Sequence, residues 1–76
     1  MKFFKVFAET DIIEMENNFN DIGLALEAFN KVIDDPDVTH AYIMNNVTGE
    51  LLATYDTYYF FGSIKAIRWV NLDLVD

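Results

Sequence analysis

The chain has no cysteine, one proline, three glycines and only five lysine or arginine residues among its 76. Without cysteine there is no disulfide and no thiolate metal site, so a chain near the lower size limit for a self-sufficient core has no such staple. Gly23, Gly49 and Gly62 are isolated from one another, which excludes a P-loop or a dinucleotide fingerprint. A single serine, Ser63, and a single histidine, His40, leave little material for nucleophilic catalysis. Ser63 lies outside any nucleophile-elbow pattern and reads as a turn residue, while His40 reads as a cross-strand partner of Asp56. Nowhere do eighteen apolar residues run together, so no membrane span is expected. The opening MKFFKVFAETD is interrupted too early by Lys5, Glu9 and Asp11 to be a signal peptide, and the expectation is a soluble cytoplasmic protein.

What the chain does contain is acid and apolar surface. Thirteen Asp and Glu residues give a formal net charge of −8. That charge opposes nucleic acid and anionic membranes and favours salt-sensitive association with basic protein surfaces. Hydrophobic residues make up 53% and aromatic residues 16%, more apolar material than a domain of this size needs for its core. A partner is the expected sink for the surplus.

One domain without a linker is expected over residues 1–76. Residues 2–9, KFFKVFAE, alternate as a strand with Phe4, Val6 and Ala8 on one face. Residues 10–18 read as an irregular acidic connection, in which Thr10 is a candidate cap. Ile22, Ala25, Leu26, Phe29 and Ile33 form an apolar stripe at helical spacing. The predicted helix covers about 20–34, with Asn20 as N-cap, a Phe19–Leu24 staple and Pro36 as the stop. Residues 39–56 read as a hairpin turning at Asn45–Gly49, with Gly49 in the left-handed position. Its register sets His40 opposite Asp56 and Tyr42 opposite Thr54, with Ala41, Ile43, Leu51, Ala53 and Tyr55 under the helix. A last strand over residues 65–75 turns Val70, Leu72 and Leu74 inward. The fold class expected is α+β: a two-layer domain of β-α-β-β-β order, one helix on a mainly antiparallel sheet.

Two groups of residues stand out as candidate contact surfaces. Asp34, Asp35 and Asp37 follow the helix C-terminus, where the dipole disfavours acids by about 0.3–1 kcal/mol each. They read as an acidic knob for a basic partner. Glu9, Asp11, Glu14, Glu16 and Asp21 form a second acidic group, placed at the other end of the helix. The run YDTYYFFGS supplies Tyr58, Tyr59, Phe60 and Phe61, of which strand alternation lets the helix cover only one pair. No catalytic residue, cofactor or metal is expected: DDPDVTH lacks the spacing, glycine and final glutamate of a calcium loop. The sequence therefore points to a non-enzymatic, acidic protein-binding module. In size and charge it is similar to phage-encoded inhibitors of host defence that mimic nucleic acid. A homo-oligomer burying the open sheet face, or a small-ligand binder using the aromatic segment, are the alternatives.

Overall fold

The computed structural model describes residues 3–71. Five strands and one helix follow in the order β1 (Phe4–Glu9), β2 (Glu14–Phe19), α1 (Ile22–Ile33), β3 (His40–Asn45), β4 (Leu51–Phe60) and β5 (Ser63–Val70). All strand pairings are antiparallel, and the sheet order is β2-β1-β3-β4-β5. One helix on one face of an antiparallel sheet is the α+β architecture expected, with β2 as an additional strand ahead of the helix.

That strand lies in the segment expected to be irregular. Thr10 caps no helix there; its hydroxyl oxygen accepts the N–H groups of Ile12 and Ile13 at 3.2 and 3.1 Å, and its own N–H donates to the Ile13 carbonyl. The result is a tight turn that returns the chain, with Glu9 opposite Glu14. Pairing Ala8 with Met15 and Phe4 with Phe19 turns Met15 and Phe19 toward the helix. The polar outer set, Glu14, Glu16 and Asn18, hid this alternation from a hydrophobicity pattern.

The helix forms where the stripe placed it, one residue later at its start. Asp21, not Asn20, is the N-cap; its carboxylate accepts the Gly23 N–H at 2.6 Å. With Asp21 as cap, Phe19 and Leu24 no longer hold the two staple positions, and Leu24 is half exposed. Ala25 and Phe29 are fully buried, and Ile22, Leu26 and Ile33 pack at the margin. The sheet contributes Val6, Ala8, Ala41, Ile43 and Ala53 to the same core cluster, four of them small enough to let the helix pack close.

The β3–β4 register pairs His40 with Asp56 and Tyr42 with Thr54, as expected, but slips beyond Ile43–Ala53 so that Met44 meets Leu51. Leu52 is the extra residue, and a bulge of this kind reverses facing beyond it. Leu52 is therefore buried, and Leu51, expected under the helix, is exposed. Gly49 takes the left-handed conformation (φ 75°) in the turn, where Asn45 Oδ1 accepts the N–H groups of Val47 and Thr48. β5 starts at Ser63, earlier than expected, and Val70 packs against the core. Its expected continuation to residue 75, with Leu72 and Leu74, falls outside the described residues.

Candidate functional site

Beyond Thr57 the sheet narrows to two strands. Thr57 is the last β4 residue tied to the inner neighbour, through its N–H and hydroxyl to the Thr39 carbonyl at 3.0 and 3.1 Å. Past it, Tyr58–Phe60 and Ser63–Lys65 form a free ribbon about 10 Å long at strand rise. The helix covers neither pair of the aromatic run: Tyr58, Tyr59, Phe60 and Phe61 are all exposed. Tyr55 is the last ring of β4 that packs against the core.

Phe61 is not a strand residue. With φ of 50° at Phe61 and 78° at Gly62, the pair forms a two-residue turn between Phe60 and Ser63 with both central residues left-handed. Asparagine is the usual first residue of such a turn; a bulky side chain there is strained by about 1–2 kcal/mol. Phe61 nevertheless stands 93% exposed, touching Phe60 edge-on with ring centroids 4.5 Å apart. Phe61→Asn is accordingly expected to raise stability by about 1 kcal/mol in urea unfolding.

The ribbon forms one wall of an open groove of about 690 Å³. The β1–β2 turn contributes Asp11, Ile12 and Ile13, the α1–β3 loop contributes Asp35, Pro36 and Asp37, and the ribbon contributes Tyr58 and Tyr59. The loop is fixed by Val38, which is 2% exposed and plugs into the core. Around it the Asp35 carboxylate accepts the Asp37 N–H at 2.9 Å, and the Asp35 carbonyl accepts the Val38 N–H. Val38 is not singled out by the sequence pattern; a lone aliphatic residue after three aspartates and a proline is its only signal.

This geometry revises the expected grouping of acids. Pairing of Glu9 with His40 brings the β1–β2 turn to the same sheet end as the loop after the helix. Asp11 therefore joins Asp35 and Asp37 rather than lying at the far end of the helix. Asp34 is the helix C-cap and does not line the groove. Glu9, Glu14 and Glu16 sit on the sheet face away from the helix, Glu16 beside Lys5 at 3.9 Å. Among the described residues the groove lining includes three carboxylates and His40, and no lysine or arginine.

His40 reaches Asp56 as expected, with Nδ1 2.9 Å from a carboxylate oxygen. A carboxylate only accepts, so Nδ1 carries the proton. Nε2 lies 4.0 Å from Glu9. Ser63 is four residue steps along the ribbon from the Asp56 row, about 13 Å away at strand rise, so the three do not form a nucleophilic triad. Among the described residues no three histidine or carboxylate side chains are grouped to hold a metal, and no helix is long and apolar enough to cross a membrane.

The sheet face away from the helix is partly self-covered. Phe7 and Tyr42 stack across β1 and β3 with ring centroids 4.9 Å apart, and the Lys5 ammonium lies 5.9 Å from the Tyr42 ring centroid. The ribbon and β5 leave further apolar surface open, including Ile64, Ile67 and Trp69. No protein-family model, curated protein or solved structure matches the chain.

Proposed function

We propose that the chain is a non-enzymatic binding module that holds a basic segment of another protein in the groove between the β1–β2 turn, the α1–β3 loop and the ribbon. The observation that carries this reading is the convergence of Asp11, Asp35 and Asp37 with Tyr58 and Tyr59 around one concave surface, with no lysine or arginine among its described lining residues. Carboxylates attract a guanidinium or ammonium group from a distance, and tyrosine faces hold it at contact. Arginine fits better than lysine, because its planar head stacks on a ring while donating to a carboxylate. Basic segments that grip nucleic acid are the natural class of target, and occupying one would displace its phosphates. This gives an inhibitor of a nucleic-acid-handling protein, acting from the cytoplasm, with no cofactor.

Titration with arginine-rich and lysine-rich peptides of equal length tests this. The arginine peptide is expected to bind more tightly. Tyr59→Ala is expected to weaken it about two- to fivefold and erase the preference. Absence of binding to both peptides at low salt would refute the reading.

A further inference from the structure

β5 is an edge strand, paired on one side only among the described residues, and all its residues up to Trp69 are exposed. Its free end belongs to a two-stranded ribbon, which is at best marginally stable in water without a third strand. An exposed apolar edge of this kind is a template for another strand. The charge distribution favours a second copy as that strand. The segment from Thr57 to Val70 contains no acid and carries Lys65 and Arg68 in a chain of net charge −8. A contact along it sets no acid of the segment against the other copy.

The edge is also complementary to itself. The two-residue turn makes Phe60 and Ser63 a hydrogen-bonded pair, and the Asn71 N–H donating to the Leu52 carbonyl at 2.9 Å continues the same series. Alternation then leaves the N–H and C=O groups of Ile64, Ala66, Arg68 and Val70 pointing outward. We propose that two copies pair β5 to β5, antiparallel about a twofold axis at Ile67, joining their sheets into one. In that register Ile64 meets Val70, Ala66 meets Arg68 and Ile67 meets its own twin. Lys65 meets Trp69 of the other copy while flanked by its own Tyr58, its cross-strand neighbour on β4. The ammonium thus lies between two rings. The outward main-chain groups form about eight hydrogen bonds across the axis.

This dimer shares Tyr58 and Ile64 with the groove but responds to salt in the opposite sense. Screening relieves repulsion between two acidic copies, so dimerisation strengthens with salt while capture of a basic peptide weakens. Light scattering at micromolar concentration is expected to give twice the chain mass. Ala66→Pro, which removes an outward N–H without touching the β4 ladder, is expected to weaken the dimer at least tenfold with an unchanged circular dichroism spectrum. Ile67→Cys tests the register, because facing Cα atoms at a non-hydrogen-bonded pair lie about 4.5 Å apart, within disulfide reach. Mild oxidation should link this variant nearly completely. Ile64→Cys, equally exposed but about 20 Å from its twin at strand rise, should remain unlinked. A monomer in both low and high salt, including one that instead binds a foreign strand, overturns the proposal. Equal linking of the two cysteine variants, or linking of neither, also overturns it.

Discussion

Phe29→Ala is expected to remove about 3–5 kcal/mol of stability and leave the chain largely unfolded at room temperature or a little above. Among the described residues Phe29 is one of two large side chains that are completely buried, the other being Ile43, and six of the nine core residues are alanine or valine. With so little volume in its neighbours, the core has few side chains able to move into the space the ring vacates. A domain of this length has a total stability of about 4–11 kcal/mol, so one truncation consumes a large share of it. Urea unfolding followed by circular dichroism measures the effect as a lowered midpoint at unchanged slope. A loss below about 1 kcal/mol would mean that the helix is held by something other than this ring.

The second large effect is on binding. Replacing Asp11, Asp35 and Asp37 by lysine converts the groove from a site that attracts cations to one that repels them. An exposed ion pair contributes about 0.2–1 kcal/mol, and reversal replaces each attraction by a repulsion of similar size. For three positions acting together the expected loss is about a hundredfold in affinity for an arginine-rich peptide. All three side chains are exposed, and the Asp35 side chain's one hydrogen bond serves the adjacent Asp37 N–H, so the fold should survive. Lysine substitutions at Glu14 and Glu16, outside the groove, provide the comparison: the same kind of charge change there should cost far less.

Much of the fold was legible because its elements carry strong local patterns. The helical stripe from Ile22 to Ile33 placed α1. The pairing of His40 with Asp56 matches the hairpin expected, but only because the bulge at Leu52 offsets a turn that sets Asn45 opposite Glu50. What escaped was set by single residues acting against the local pattern. β2 was hidden because its outer face is wholly polar, so only Met15 and Phe19 betray alternation. The bulge at Leu52 exchanged one leucine for its neighbour, which no hydrophobicity pattern distinguishes. The candidate residues were legible as types, whereas their grouping was not. Asp11 meets Asp35 and Asp37 only because β1 pairs with β3, a contact between segments some thirty residues apart. The surplus of rings in YDTYYFFGS was visible at once. That they extend past the helix on a free ribbon follows from β4 outlasting β3, which depends on where both strands end.

The account's central claim is that the groove, rather than overall acidity, captures a basic segment. The most direct measurement is the affinity of one arginine-rich peptide as a function of salt, for the natural chain and for the Asp11, Asp35, Asp37 lysine variant. The account predicts affinity for the natural chain that falls steeply with salt, and a variant about a hundredfold weaker at low salt with its spectrum unchanged. Equal affinities for the two chains, or an affinity indifferent to salt, would contradict it.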